Sequence, residues 1–158
     1  MRPATPVAAL KSAWQASIES IGPVAGVGID LVEVQVVRQL VEHGGHEFVD
    51  AAWTDREQRD TNRQPEGLAG RWAAKEAVMK ALRHGIGDVD PCEVEIVTTS
   101  VGAPAVELTG KARDIARRER ISGWKVSISH EGGWAAAIAV ASLGLGIAAA
   151  RTPEAGGR

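Results

Sequence analysis

The sequence is poor in several informative residue types, and each scarcity excludes a class of protein. Cys92 is the only cysteine among 158 residues, which excludes an intrachain disulfide and a cysteine-based structural zinc site and fits a reducing compartment. Lys and Arg number 18 against 20 Asp and Glu. This balance disfavours a nucleic-acid binder that relies on a strongly basic surface. The N-terminal residues lack the continuous apolar stretch of a secretory signal, so we expect a cytoplasmic protein.

Long hydrophobic runs are also scarce. The one uncharged run that needs attention, residues 132–150, is rich in small residues, is broken by Gly144 and Gly146, and begins with a strand pattern. A buried strand followed by a loose tail is therefore favoured over a membrane span. The glycines near the start of the chain lack the GxGxxG spacing of a dinucleotide site, and there is no P-loop.

The length favours one domain. We expect it to span residues 24–142, with an N-terminal extension at 1–23 and a C-terminal tail at 143–158. In the extension, Leu10, Trp14, Ile18 and Ile21 have the spacing of a short amphipathic helix.

The order of the predicted elements indicates the fold class. We expect a buried strand at 24–34, helices at about 35–43 and from residue 54, a long helix at 68–82, strands at 92–99 and 105–108, a helix at 111–120, and strands at 124–130 and 134–141. Gly44 and Gly45 should stop the first helix, and Thr54 and Glu57 have the spacing of a capping box. The predicted elements after the long helix are mostly strands. This order predicts an α+β fold with an antiparallel sheet packed with helices.

Three short patterns carry residues suited to chemistry. Asp30 lies in an otherwise apolar strand, where a charge needs a partner or a cation, although it could equally cap the following helix. On the long helix, Glu76 and Lys80 are four residues apart, as are Arg71 and Lys75. Such spacing places each pair on one face, which for a generic helix usually means surface ion pairs.

The third pattern is a strand with Ser127, Ser129 and His130 near its end. Alternation puts the two serines on one face and the histidine on the other. The pattern is not a nucleophile elbow, since it lacks Gly-x-Ser-x-Gly and the strand-turn-helix context. A histidine at such a position more often makes only a structural hydrogen bond.

Together the three patterns resemble the 4'-phosphopantetheinyl transferases, and in length and layout the small holo-acyl-carrier-protein synthase group. The matching motifs are Gly28-Ile29-Asp30, Trp72-Ala73-Ala74-Lys75-Glu76-Ala77-Val78-Met79-Lys80 and Ser127-Ile128-Ser129-His130. The resemblance runs from about residue 24 to residue 141. It implies a single-lobe fold and a homotrimer with active sites at the subunit interfaces.

The resemblance also implies the reaction. The family transfers the 4'-phosphopantetheine group of coenzyme A to a serine hydroxyl of an apo acyl carrier protein and releases 3',5'-ADP. By this resemblance Asp30 and Glu76 hold Mg²⁺, with Mn²⁺ a possible substitute, and Asp30, Glu76 and Lys80 are catalytic. The coenzyme A contacts that it implies are Arg71, Lys75, Lys80, Ser129 and His130. The base is either Glu76 or a metal-bound water that Glu76 orients.

The choice of carrier protein stays open. Members of this group usually carry several basic residues on the helix after the Asp strand, where the carrier docks, and here only Arg38 is present. The basic segment at 111–120 is an alternative docking patch, although a solvated helix face is the more common meaning of such a run. Another Mg²⁺-dependent phosphate enzyme and a non-catalytic binding module remain as competing hypotheses.

Overall fold

The computed structural model describes residues 23–144. The helix-like pattern at residues 10–21 and nearly all of the expected extension and tail lie outside these residues. The elements are β1 (Val24–Glu33), α1 (Val34–Ala52), α2 (Asp55–Asp60), α3 (Pro65–Leu82), a 3₁₀ turn (Pro91–Glu93), β2 (Val94–Thr98), β3 (Pro104–Leu108), α4 (Gly110–Arg118), β4 (Ile121–Glu131) and β5 (Trp134–Leu143).

The strands form two antiparallel sheets. β5 lies between β1 and β4 in a three-stranded sheet, and β2 pairs with β3 in a separate hairpin. Gly132 and Gly133, which join β4 to β5, both have positive φ angles of 55° and 84°. This conformation is open to glycine at little cost and lets the chain reverse in two residues. The predicted α+β fold with an antiparallel sheet is therefore confirmed.

Helix α3 is the centre of the molecule and packs against one face of the three-stranded sheet. Ala73, Ala74 and Ala77 are fully buried on α3, and their small size allows a close approach of helix and sheet. The approach is closest at Gly28, where an added Cβ would overlap the carbonyl oxygen of Ala77. This contact fixes the position of β1, and with it Asp30, relative to α3.

The expected stop of the first helix at Gly44 and Gly45 is confirmed, because Gly45 leaves helical geometry with φ of 60° and ψ of −157°. The sequence did not predict the second helical segment that resumes beyond this kink and continues to Ala52, so α1 consists of two segments. The resumption has a physical reason, because Val49 and Ala52 beyond the kink are buried in the core. Burial of that face outweighs the break in helical geometry.

The expectation that β1 is a buried strand is only half correct. Gly28 and its neighbours on one face pack against α3, whereas Val27, Ile29 and Leu31 on the other face are exposed, Ile29 to 67%. The reason is that the described sheet is covered by a helix on one side. The predicted capping box is confirmed at the start of α2: the Thr54 amide donates to Glu57 Oε2 at 2.9 Å, and the Glu57 amide donates to Thr54 Oγ1 at 3.2 Å.

Within residues 23–144, no helix is long and apolar enough to span a bilayer.

Candidate active site

Asp30 and Lys80 form an ion pair between β1 and α3. The Lys80 ammonium donates to Asp30 Oδ1 at 2.7 Å and to the backbone oxygen of Ile29 at 3.1 Å. The Asp30 carboxylate therefore has the partner that an acidic residue in an apolar strand requires. It does not cap the following helix, since α1 has Glu33 at its N-cap and no side-chain capping bond there.

Glu76 completes a cluster of three charges. It lies one helical turn before Lys80 on the same face of α3 and is partly buried. Burial is the main cause that raises the pKa of the Glu76 carboxyl, and the charge of Asp30 adds to the increase while Lys80 opposes it. Two carboxylates and one ammonium thus act on one another across β1 and α3, with an excess of negative charge.

These residues fit a divalent cation that also binds phosphate. Within residues 23–144, no group of three or more His, Cys, Asp and Glu side chains could hold a metal ion. The carboxylates near each other in the charge cluster are Asp30 and Glu76, and a cation held there would take its other ligands from water and ligand oxygens. Mg²⁺ favours this arrangement, because it keeps several waters and binds through one or two carboxylates plus substrate phosphates.

His130 lies on the face of β4 that packs against α3. Its Nε2 is 2.9 Å from the backbone oxygen of Glu66, near the beginning of α3. Gly70 leaves room for the ring, since a Cβ there would lie 2.8 Å from His130 Nε2. His130 therefore makes the kind of structural hydrogen bond that is common for a histidine at a strand end. Because the residue is exposed, its ring is also accessible to a ligand.

Ser129 points to the opposite, open face of the sheet, as the alternation predicts. It pairs with Ala136 of β5, while His130 pairs with the buried Ala135. Within one chain, Ser129 and His130 therefore face different sides of the sheet. The structure does not bring Ser129 to the side of the sheet that carries the charge cluster.

Arg71 is directed toward the β2–β3 hairpin rather than toward Glu76. Its guanidinium donates to Thr98 Oγ1 at 2.6 Å. Burial lowers the pKa of Arg71, and the nearby carboxylates of Glu57 and Asp60 oppose the decrease. The side chain is partly exposed, so a ligand can still reach it.

Lys75 does not fit its expected role as a coenzyme A contact. Its side chain is fully buried, and its ammonium lies 2.7 Å from Glu57 Oε2. It also donates to the backbone oxygens of Pro91 at 2.7 Å and Val94 at 2.8 Å. These three partners use all three N–H groups, so none is left for a phosphate. The structure instead gives Lys75 the task of tying α3 to α2 and to the start of β2.

Glu57, which the sequence indicates only as a helix cap, also has a structural role in the core. Besides its capping bond and its pair with Lys75, its carboxylate accepts from the Ile96 amide at 2.9 Å. Burial raises the pKa of Glu57, and Lys75 opposes that effect most strongly. The Thr-x-x-Glu spacing signals the cap, but no sequence signal connects Glu57 to Lys75.

A cavity of about 660 Å³ is lined by residues other than Asp30, Glu76 and Lys80. It lies between the end of α1, the aromatic ring of Trp72 and the loop before β2. The residues that line it are Phe48, Asp50, Ala51, Ala52, Trp72, Gly87, Val89, Asp90, Pro91 and Cys92. Trp72 precedes Glu76 by one helical turn, about 6 Å along the axis. The volume is in the range of small-molecule sites.

Comparison with known proteins gives concordant matches. The family model described as the 4'-phosphopantetheinyl transferase superfamily matches residues 26–139. A holo-[acyl-carrier-protein] synthase of Desulforudis audaxviator is 40% identical over 121 residues, which are 75% of this chain and 92% of the relative.

Two solved structures are similar in fold. The acyl carrier protein synthase of Mycobacterium tuberculosis is 36% identical with a TM-score of 0.61, over 77% of this chain and 100% of the other. The holo-[acyl-carrier-protein] synthase of Helicobacter pylori, solved in complex with coenzyme A, is 27% identical with a TM-score of 0.68, over 73% of this chain and 99% of the other.

Proposed function

Because the chain belongs to the 4'-phosphopantetheinyl transferase superfamily, we propose that it transfers 4'-phosphopantetheine from coenzyme A to a serine hydroxyl of an apo acyl carrier protein. The product released is 3',5'-ADP. The observation that carries the proposal is the cluster of Asp30, Glu76 and Lys80, which joins β1 to α3. The coenzyme A bound to the Helicobacter pylori relative supports the choice of donor.

The cluster suits phosphoryl transfer, in which catalysis is mainly positioning and charge stabilisation. Asp30 and Glu76 would hold Mg²⁺, or Mn²⁺ in its place, which would supply positive charge to neutralise the pyrophosphate. Lys80 provides a mobile ammonium for the phosphate oxygens. Glu76 accepts the serine proton, either directly or through a water that it orients.

The remaining coenzyme A contacts come from three side chains in different places. His130 presents an exposed ring on the α3 side of the sheet, and Arg71 presents a partly exposed guanidinium beside the hairpin. Ser129 lies on the opposite face of the sheet. In one subunit Ser129 and His130 point to opposite faces of the sheet, so a ligand on one face contacts only one of them, which favours a site shared between subunits.

The open face of the sheet supports a homotrimer with sites between the subunits. Val27, Ile29 and Leu31 of β1 form an exposed apolar row, and Ile138 of β5, which pairs with Ile29, extends it. Such a patch on a small protein favours burial against a partner. A second copy that covers this face would also approach Ser129.

The oligomer can be tested with one charged substitution and a matched control. Ile29→Glu should convert the trimer into monomers, because a carboxylate on the interface would be buried without a partner. Val101→Glu, at an 86% exposed position on the β2–β3 turn, should leave the trimer intact. The measurement is molar mass by sedimentation equilibrium with circular dichroism of both variants. A wild-type monomer, or a folded Ile29→Glu trimer, contradicts this assembly.

The reaction itself is tested by incubation with coenzyme A, Mg²⁺ and a panel of apo acyl carrier proteins, followed by intact-protein mass spectrometry. We expect one phosphopantetheine mass on at least one carrier, equimolar 3',5'-ADP, and loss of both with EDTA. Release of a different nucleotide product would favour another phosphate enzyme. Coenzyme A binding with no transfer to any carrier would favour a binding module.

Action in the cytoplasm stays a prediction, for which the single cysteine is the support.

A further inference from the structure

Lys80 is engaged by β1 in a way that its proposed contact with phosphate does not explain. Its ammonium contacts both Asp30 Oδ1 and the backbone oxygen of Ile29. Both acceptors belong to β1, so the side chain is directed at the strand and not at open solvent. An ammonium in this position already neutralises the carboxylate that is proposed to hold the divalent cation.

The two sides of this ion pair differ in their freedom to move. The Asp30 side chain is only 16% exposed, and β1 is fixed against α3 by the close approach at Gly28. The Lys80 side chain is 52% exposed and ends a flexible four-carbon stem. If the pair opens, Lys80 therefore moves and Asp30 stays.

The ammonium of Lys80 also acts on the second carboxylate of the cluster. Lys80 lies one helical turn after Glu76 on the same face of α3, which places its ammonium near that carboxylate as well. A divalent cation held by Asp30 and Glu76 would occupy the region where this ammonium now balances both charges. A divalent cation and an ammonium beside the same two carboxylates would repel each other strongly, so they cannot share the region at low cost.

We propose that Lys80 is an exchangeable internal counter-ion, which occupies the cation's place at Asp30 in the free enzyme and leaves it for the phosphates of coenzyme A. This inference rests on the proposed function, since it takes its cation and its phosphates from it. Without the metal, the Lys80 ammonium thereby offsets the repulsion between the carboxylates of Asp30 and Glu76. The exchange also couples cation binding to coenzyme A binding, because the phosphates provide Lys80 with its new partner.

The test is Mn²⁺ affinity of the full-length protein without nucleotide, measured by electron paramagnetic resonance of free Mn²⁺. Lys80→Ala should bind Mn²⁺ about fivefold more tightly than the wild type, which is the upper range for loss of one competing exposed ion pair. Lys80→Arg should stay within about twofold of wild type, because it keeps the competing charge. Arg83→Asn removes a charge just past the C-terminal end of α3, at a left-handed position that Asn accepts, and should also stay within about twofold.

Each result has a definite meaning. Equal or weaker Mn²⁺ binding by Lys80→Ala would overturn the exchange, because Lys80 would then support the site instead of competing for it. An equal gain in Lys80→Ala and Arg83→Asn would also overturn it, because a general field effect would suffice. If Asp30→Asn binds Mn²⁺ as well as the wild type, or no variant binds it, the metal site of the proposed function fails together with the exchange.

A second measurement uses the wild-type protein alone. The rate at which acetic anhydride acetylates Lys80, followed by peptide mass spectrometry, should rise when Mg²⁺ and 3',5'-ADP are replaced by Mg²⁺ alone, because the ammonium then has neither partner. Lys111, which is exposed on α4 away from the open face of the sheet, is the internal reference. An unchanged ratio of Lys80 to Lys111 acetylation contradicts the exchange.

Discussion

Replacement of Lys75 by methionine tests whether this residue is structural. Methionine keeps an unbranched apolar stem of similar length but removes the ammonium. Glu57 would then remain fully buried with its backbone donors but without a cation. The backbone oxygens of Pro91 and Val94 would each lose their lysine donor as well.

The expected loss is large because the pair is fully buried. Removal of one partner from a buried ion pair costs about 3–5 kcal/mol of unfolding free energy. The ion pair of Arg38 and Glu66, at 3.2 Å and exposed on both sides, is the matched control. Arg38→Met should cost less than about 1 kcal/mol, as solvent screens such pairs.

The assay is urea unfolding followed by circular dichroism at one fixed protein concentration, since assembly adds to apparent stability. The double variant Glu57→Gln with Lys75→Met should be more stable than Lys75→Met alone, because no buried charge is left unpaired. A loss for Lys75→Met as small as that for Arg38→Met would refute the structural role. An unchanged stability with a raised KM for coenzyme A would return Lys75 to the ligand contact that the motif predicts.

Two further predictions concern close packing and thiol reactivity. Gly28→Ala should lower the unfolding free energy by about 3 kcal/mol, because the added Cβ would overlap the Ala77 carbonyl and both backbones must shift. Gly85→Ala, with open space around it, should be nearly neutral, and equal thermal unfolding of the two variants contradicts the prediction. Burial is the main cause that raises the pKa of the Cys92 thiol, so the reactive thiolate is scarce at neutral pH. Alkylation by iodoacetamide should therefore be slower than for a free cysteine at pH 7 and should rise at a higher pH; a rate equal to that of free cysteine would be evidence against the shift.

Local sequence signals were sufficient for most of the fold. The Thr54 capping box and the β4–β5 hairpin were predictable, because each depends on residues close together in the chain. The break of α1 at Gly45 was predictable for the same reason, but the helical segment beyond it was not. That segment forms with Val49 buried against packing partners that a local pattern does not contain.

In the candidate site, too, local motifs predict which residues are important but not their contacts with distant parts of the chain. The strand and helix motifs identify Asp30 and Lys80 as residues of interest, but their contact joins positions 50 residues apart. Lys75 and Glu76 are adjacent in the sequence yet turn to different faces of α3, about 100° apart. Glu57, the partner that balances the buried ammonium of Lys75, lies on another helix, so the burial of Lys75 could not be predicted from the motif.

The catalytic role of the carboxylate pair is tested most directly by a comparison of the wild type with Asp30→Asn and Glu76→Gln in the same reaction. Intact carrier mass and 3',5'-ADP are measured together with coenzyme A, Mg²⁺ and an accepted apo carrier, and circular dichroism confirms that the variants are folded. Each substitution removes one of the two carboxylates that the cation requires, so each should slow transfer at least a hundredfold, by about 3 kcal/mol of transition-state stabilisation. Transfer near the wild-type rate by either folded variant would contradict the claim that this carboxylate pair is the centre of catalysis.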